Sequence, residues 1–273
     1  MPNHITNILT ITGEEAEVQK CLAETKTEIE GYVRFIDFNT FIPIPKELEG
    51  TTAPTKIISQ AEYDEQEARI AHNELTEIEK QWGISRGITR AMSNEYKAKF
   101  GADNWYDWQI HNWGTKWNAY DQIFNEASKV ITFDTAWSTP QRAMYHLYPT
   151  LRFKVEFADE DLGNNVGEYT LIDGLIEHEF YPEGGSEKAY EMAMTIKGDQ
   201  DYYLEQYLSE DADEGSNFTN ALIKLAHKEQ YMVEEYPVFV LNELKELALA
   251  DEQYERVKEL DDLIKAKAEG KVE

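Results

Sequence analysis

The feature that most constrains the fold of this chain is an aromatic segment, residues 105–121. It contains four of the six tryptophans and two of the 16 tyrosines. Each large ring buries on the order of 150–250 Å² when it packs, so a run this dense requires other parts of the chain to cover it. Polar side chains alternate with the rings, and buried polar groups need hydrogen-bond partners. We therefore predict an aromatic wall with a polar network running through it, formed by Asp107, His111, Asn112, Lys116, Asn118 and Asp121.

Two interpretations of this network stay open at the level of sequence. A histidine near carboxylates and a lysine can have a pKa close to neutral and act as an acid or base, which predicts an enzyme with an aromatic cleft at His111 that processes a small molecule or nucleotide. Alternatively, His111 and Asp107 satisfy each other, and Lys116 pairs with an acid on a neighbouring strand. No recognised catalytic signature accompanies these residues, so we favour the structural interpretation and assign no catalytic residue.

The net charge of −27, from 53 acidic and 26 basic residues, narrows the classes of partner. Such a surface repels nucleic-acid backbones and anionic membranes and attracts basic proteins. The glycines match neither a phosphate-binding loop nor a dinucleotide fingerprint, and no serine lies in a nucleophile elbow. Direct nucleic-acid binding is therefore not expected. Two other uses of the charge stay open, namely solubility alone and mimicry of nucleic acid.

The cysteine, histidine and hydropathy patterns exclude further classes. The single cysteine, Cys21, rules out an internal disulfide and a four-thiolate iron–sulfur cluster, as suits a reducing cytoplasm, and it lies on an apolar helix face where packing makes it inert. His178 alternates with Glu177 and Glu179 in a predicted strand, so it does not share a metal shell with them. We expect no metal and no cofactor. No apolar run approaches the roughly 20 residues of a membrane span and no leader peptide is recognisable, which predicts a soluble, unprocessed protein.

The order of the predicted elements defines the fold class. Strands are predicted at His4–Thr12, 33–38, 129–137 and 151–157, followed by a hairpin around Asp173-Gly174, and helices at 14–31 and 138–151. A helical insertion at about 46–104 separates the second strand from the third. The order strand–helix–strand, insertion, strand–helix–strand predicts an α+β fold for residues 1–185, a ferredoxin-like βαββαβ antiparallel sheet with its helices on one face.

Residues 186–273 are predicted to form an acidic helical extension. Helices are predicted at 186–197, 201–208, 218–231 and 237–268, with an acidic loop at 209–215. The second half of the last helix is half charged, which is typical of an exposed helix that binds a partner or a second copy of the chain. The candidate partner-binding residues of this extension are Tyr202, Tyr203, Tyr207, Asp211, Asp213, Glu214, Tyr254, Leu260 and Ile264.

Several short segments carry a resemblance to a known family. They are residues 1–7 with 9–13, 38–45, 105–108, 112–118 and 135–137, of which Asn-Trp-Gly-Thr-Lys-Trp-Asn at 112–118 is the most distinctive. Over residues 1–40 and 100–175 the chain resembles the YubB ferredoxin-like family of phage and plasmid accessory proteins. The resemblance implies a ferredoxin-like fold, an origin in a mobile element and an accessory role, but no catalytic residues. The insertion is longer than the family pattern, and the extension lies outside it.

The expected function combines the charge with this resemblance. We expect a non-catalytic accessory protein in the cytoplasm of a host cell that binds a host or defence protein through acidic surfaces and thereby inhibits an antiviral complex. Complementary charge speeds association, and an apolar anchor on the extension would supply affinity. Self-association through the last helix is a further expectation. The enzyme at His111 is the alternative class, and nucleic-acid mimicry is the third.

Overall fold

The first strand, β1 (His4–Thr12), lies in the middle of a six-stranded antiparallel sheet in the computed structural model. The structure describes residues 3–29, 31–76, 79–80, 83–198, 200–208, 212–230 and 236–268. Alternate residues of β1 are buried, as a strand with side chains on two faces requires. Leu9 lies opposite Ile131 of one neighbour and Val155 of the other, and all three side chains are fully buried. This cross-strand row forms the centre of the first hydrophobic core.

The strand order confirms the predicted fold class. β7 (Val130–Ala136) and β8 (Arg152–Asp159) flank β1, and β6 (Tyr120–Asn125) pairs with the outer side of β7. The first and third strands of the motif are therefore central and the second and fourth are outside them, which is the ferredoxin-like arrangement. A hairpin of β9 (Val166–Ile172) and β10 (Leu175–Phe180) extends the sheet beyond β8, as predicted.

The second strand was predicted at the wrong place. Residues 33–38 do not join the main sheet, because β2 (Thr27–Ile29) and β3 (Tyr32–Arg34) pair only with each other and a 3₁₀ turn follows at Phe38–Thr40. The first helix, α1 (Glu15–Thr25), accordingly ends before the predicted limit at residue 31. The true second strand is β6, which directly follows the aromatic tryptophans. The insertion thus lies between the first helix and the second strand.

Side chains explain why residues 35–38 do not need a strand partner. The Gln122 carboxamide oxygen accepts from the backbone N–H groups of Phe35 and Ile36 at 2.8 and 2.9 Å, and its nitrogen donates to the carbonyl of Ile36 at 2.9 Å. Asn118 accepts from the N–H of Phe38 at 3.0 Å. Backbone groups buried near a core must be paired, and two amides from the aromatic segment and β6 supply that pairing here.

The insertion contributes helices and one short parallel pair. Its elements are β4 (Ile57–Ile58), α2 (Gln60–Ala71), β5 (Ile88–Thr89), α3 (Arg90–Phe100) and α4 (Trp105–Asn112). Three of these helices begin at side-chain caps, including a reciprocal Ser59–Glu62 capping box on α2. The region predicted as a helical insertion therefore contains helices, joined by turns and by the two short strands.

The two helices of the motif lie on one face of the sheet, as predicted, and a helix of the extension covers the other face. Val18 and Cys21 of α1 join the core on the Leu9 face. The helix predicted at 138–151 is a single turn, α5 (Gln141–Met144). The opposite face is covered by α6 (Glu187–Lys197), whose Ala189 and Ala193 pack against Ala158 of β8. Burial raises the pKa of the Cys21 thiol to about 12, which fits its predicted inert role.

The extension has a hydrophobic core of its own. The helices that form this core are α7 (Gln200–Tyr207), α8 (Asn217–Lys228), α9 (Val238–Ala250) and α10 (Tyr254–Ala268). The preceding helix, α6, packs on the same core through Met194. The predicted single helix at 237–268 is wrong, because the chain turns back at Glu252, whose φ is +58°. An ion pair of 2.8 Å between Lys245 and Asp261 joins the two resulting helices. Among the described helices, none is both long and apolar enough to cross a membrane.

Candidate functional site

The aromatic segment divides its rings between the core and the surface. Trp108 and Trp113 are buried, whereas Trp117 is 37% exposed. The indole N–H of Trp113 donates to the carbonyl of Ile42 at 3.0 Å, and its ring lies edge-on to Trp108 and Phe38. Asn104 begins α4 by accepting from the backbone N–H of residue 107 at 2.9 Å. The predicted aromatic wall is therefore present, anchored by its two central indoles.

The predicted polar residues make separate local contacts. Asp107 accepts from Asn104, Asn112 bonds the carbonyl of Trp108, Asn118 bonds Asp37 and the backbone of Phe38, and Asp121 is exposed. The exposed His111 meets Arg142, which donates to its carbonyl at 2.7 Å and lies 3.4 Å from its ring nitrogen. Lys116 lies against aromatic rings. The structure thus brings neither Asp107 nor Lys116 into hydrogen-bond contact with His111.

A cleft opens beside this segment, and we refer to it as the aromatic cleft. It has a volume of about 720 Å³, within the range of roughly 300–1,000 Å³ that is usual for small-molecule sites. Residues 53–57, α3, the start of α4 and the end of β7 form its walls. Its lining residues are Ala53, Pro54, Thr55, Ile57, Arg90, Lys97, Asp103, Asn104, Trp105, Tyr106, Asp107, Lys116 and Trp137.

Three cations line the aromatic cleft: Arg90, Lys97 and Lys116. The ammonium group of Lys116 lies 4.8 Å from the ring centroids of Trp117 and Trp137, at cation–π distance. Lys97 forms an ion pair of 3.1 Å with Asp103. Of these three, only Lys116 was predicted as a site residue. Arg90 and Lys97 lie far from it in sequence, on a helix whose charged residues follow the pattern of an ordinary solvent-facing surface.

A buried carboxylate, Asp103, organises the floor of the cleft. It accepts from the Ser93 hydroxyl at 2.6 Å and the Thr55 hydroxyl at 2.7 Å, besides its ion pair with Lys97. Burial alone would raise the pKa of this carboxyl, but these hydrogen bonds outweigh it and lower the pKa to about 2. Asp103 therefore stays ionised and fixes the loop before α4 to α3 and to residue 55.

Replacing Asp103 by asparagine is expected to cost about 2 kcal/mol of stability at pH 7, since its pKa is about 2 in the folded protein and near 3.8 when unfolded. A lowered folded pKa stabilises the protein above pH ~4, and that stabilisation is lost as the pH falls towards 2. The difference between the wild type and Asp103→Asn in urea unfolding should shrink over this window. The exposed Asp262→Asn is the matched control, and a difference that is independent of pH would contradict the assignment.

Trp137 stands at the mouth of the cleft in an unusual backbone conformation. Its φ is +72°, in the left-handed region that bulky residues rarely occupy, and its side chain is 43% exposed. Two contacts hold the position: its N–H donates to the carbonyl of Asn3 at 2.9 Å, and Asn165 donates to its carbonyl at 3.2 Å. Such strain costs on the order of 1–3 kcal/mol and is concentrated at functional sites. The chain thus maintains a strained residue while leaving much of its indole uncovered.

A second concave surface lies at the turn between α9 and α10, and we refer to it as the acidic pocket. Glu252, Tyr254, Glu255 and Glu259 line it, and Tyr254 is 66% exposed. The guanidinium of Arg256, which also lines it, donates to the carbonyls of residues 226 and 227 at the end of α8. The pocket is therefore lined by three carboxylates and one guanidinium beside an exposed tyrosine.

The other predicted partner-binding residues are distributed unevenly. Tyr202 and Tyr207 are 49% and 43% exposed, and Asp213 and Glu214 are exposed nearby. The ring of Tyr203 stacks on that of Tyr207 and packs on the second core. Asp211 lies outside the described residues.

The sequence placed Leu260 and Ile264 on a partner-binding surface, but in the structure both pack in the second core. Leu260 is fully buried, so its assignment to a partner surface is wrong, and Ile264 packs against the same core. Tyr254, in contrast, does lie on the surface, in the acidic pocket. The three carboxylates beside it, at residues 252, 255 and 259, were not predicted from the sequence. They fall on both sides of a helix break that the sequence did not reveal.

Comparison with known proteins identifies part of the fold. Residues 112–199, about a third of the chain, match the family model described as a ferredoxin-like domain in Api92-like protein. The match runs from the end of α4 through β6–β10 and α6, and it supports the ferredoxin-like part of the resemblance noted from the sequence. No curated protein and no solved structure matches the chain.

Proposed function

We propose that this protein is a non-catalytic accessory protein of a phage or related mobile element, that it binds a basic host protein in the cytoplasm, and that it inhibits an antiviral defence complex in this way. The mobile-element origin rests on the resemblance of residues 1–40 and 100–175 to phage and plasmid accessory proteins. The binding role rests chiefly on the acidic pocket, because this surface combines charge with an exposed ring.

The acidic pocket is suited to an arginine or lysine side chain of a partner. Glu252, Glu255 and Glu259 supply carboxylates, and the Tyr254 ring offers a cation–π surface. The carbonyls at the end of α8 are already bonded by Arg256 of the pocket itself, so the partner's cation would be held by the carboxylates and the ring. Tyrosine is a typical anchor of protein interfaces, so the pocket supplies the apolar contact that charge attraction alone lacks. The net charge of −27 would steer a basic partner towards it.

The alternative class, an enzyme at His111, receives less support from the geometry. The His111 side chain is exposed, contacts Arg142, and does not belong to the described lining of the aromatic cleft. Self-association through the last helix would have to avoid Leu260, because the apolar face that contains it is covered within the chain. A partner that is a second copy of this protein therefore needs another surface, and a basic host protein fits the pocket better.

Affinity capture from host extract tests this proposal when a pocket variant is compared with a charge-matched control. The pocket variant combines Glu252→Gln, Glu255→Gln, Glu259→Gln and Tyr254→Ala; the control combines Glu24→Gln, Glu65→Gln and Glu95→Gln, which are exposed residues on other helices. We expect basic proteins retained by the wild type to fall at least about tenfold with the pocket variant and to stay unchanged with the control.

The retained proteins are to be identified by mass and their binding repeated with purified partners over a range of salt. Capture should weaken as salt rises, since screening shortens the reach of the exposed carboxylates. Equal retention of basic proteins by the wild type and a folded pocket variant would show that the acidic pocket does not bind the partner. A turnover that disappears in His111→Ala, with the fold preserved, would refute the non-catalytic role.

A further inference from the structure

The aromatic cleft presents positive charge on a strongly negative protein. Of its three cations, Lys97 is paired with the buried Asp103. Within the described residues, neither Arg90 nor Lys116 forms an ion pair, and both line the same cleft. Guanidinium and ammonium groups that line one cleft without carboxylate partners are suited to oxyanions, above all phosphate. The cleft therefore offers two cations to an anionic group.

The same cleft offers flat aromatic surface. Trp137 and Tyr106 lie edge-to-face, with ring centroids 6.0 Å apart, and Trp105 continues the wall. Trp137 is held in a left-handed backbone conformation with 43% of its surface exposed. A ring kept 43% exposed at the cost of backbone strain, with Lys116 against part of it, points to a ligand that covers the rest. Every type of nucleobase can stack on such a ring.

An exposed carboxylate in the cleft further restricts the class of ligand that can bind there. Asp107 lines the cleft near the start of α4 and would repel a bare oxyanion. A carboxylate is, however, a good acceptor for the hydroxyl groups of a sugar or the amino group of a base. We propose that the aromatic cleft binds a small phosphorylated nucleoside, with phosphate on Arg90 and Lys116, the sugar or base hydrogen-bonded to Asp107, and the base against Trp137 and its neighbours.

Size and charge favour a mononucleotide over a nucleic-acid strand. The cleft volume of about 720 Å³ accommodates one nucleotide with room for water. A strand would run out of the cleft onto a protein of net charge −27 and meet repulsion there. A mononucleotide keeps its few charges beside the two cations, within the Debye length of about 8 Å at physiological salt.

Calorimetric titration of the full chain with ADP, adenosine and pyrophosphate tests the proposal. We expect ADP to bind with a Kd below about 1 mM, and adenosine and pyrophosphate each to bind at least about tenfold more weakly, since each lacks one half of the contacts. Arg90→Gln and Lys116→Met should each raise the Kd for ADP about tenfold. Lys99→Gln is the matched control on α3, outside the described cleft lining, and should change the Kd less than about twofold.

Trp137→Ala separates the ring contacts from the phosphate contacts. The substitution should weaken the binding of ADP and adenosine in parallel, and by more than it weakens the binding of pyrophosphate, which loses only the positioning of Lys116 against the ring. The thermal midpoint of the variant shows whether it is folded. Pyrophosphate binding as tightly as ADP would show a simple anion site and overturn the nucleoside assignment, as would no ADP binding at about 5 mM. The acidic pocket lies on the helical extension, so failure here leaves the proposed partner binding standing, and the reverse is also true.

Discussion

Replacing Trp113 by alanine is expected to destabilise the protein by about 3–5 kcal/mol, as is usual when a large buried aromatic ring is removed. Trp113 is 1% exposed, and its indole N–H donates to the carbonyl of Ile42 at 3.0 Å. Its ring is edge-on to Phe38 at 5.6 Å and to Trp108 at 5.9 Å. The substitution therefore removes packing, leaves a cavity and orphans a carbonyl, all at the junction of the insertion with the sheet.

Trp117→Ala is the matched control for this prediction. Trp117 belongs to the same segment but is 37% exposed, and its ring contacts Tyr120 at 6.0 Å. Its loss should cost no more than about 1 kcal/mol. Urea unfolding followed by far-ultraviolet circular dichroism gives both values without relying on tryptophan fluorescence. Equal costs for the two variants would mean that the segment is not anchored through Trp113.

The regular strands could be predicted from the sequence because their signal is local. β1, β7 and β8 alternate buried and less buried residues, and the Asp173-Gly174 turn marks the β9–β10 hairpin. These elements suffice to identify the ferredoxin-like class. Their pattern reflects burial of one face, which each strand encodes by itself.

The second strand could not be placed in the same way, because the decisive contacts are long-range. Residues 33–38 have strand-like composition, yet the backbone N–H groups of residues 35, 36 and 38 donate to the side chains of Gln122 and Asn118, 80 to 87 residues away. β6 itself is short and mixed, so its local signal is weak. For residues 33–38 and for β6, long-range contacts decide the structure more strongly than the local β-propensity of the residues.

The candidate sites were only partly visible in the sequence for a similar reason. The aromatic segment was evident from its density of rings, and Lys116 was recognised with it. Arg90, Asp103 and Trp137 come to the same cleft only through folding. The predicted contact between His111 and Asp107 failed because Arg142 and Asn104 are the nearer partners.

The last helix shows how a continuous pattern can conceal a turn. No glycine or proline marks the break at Glu252, and the apolar residues on either side keep a helical spacing. Once the chain turns back, the half-charged helix α10 packs its apolar stripe on α9. Leu260 and Ile264, which were predicted to form a partner surface, therefore lie in the core. The acidic pocket lies at the turn itself.

Replacing Leu260 by alanine should accordingly destabilise the helical extension by about 2–5 kcal/mol, the range for buried leucines. Leu260 is fully buried in the second core, and alanine keeps the helix because its propensity is at least as high as that of leucine. The same substitution at Leu249, which is 46% exposed on the neighbouring helix, should change stability by no more than about 0.5 kcal/mol.

Urea unfolding of the two variants, with hydrogen exchange of α9 and α10, distinguishes a core role from a surface role for Leu260. A core role predicts a lower midpoint and faster exchange in both helices for Leu260→Ala, with normal behaviour for Leu249→Ala. If the Leu260 variant kept the wild-type midpoint and exchange but lost partner capture, the side chain would act at an interface instead. The packing of α10 on α9, on which the shape of the acidic pocket depends, would then need to be revised.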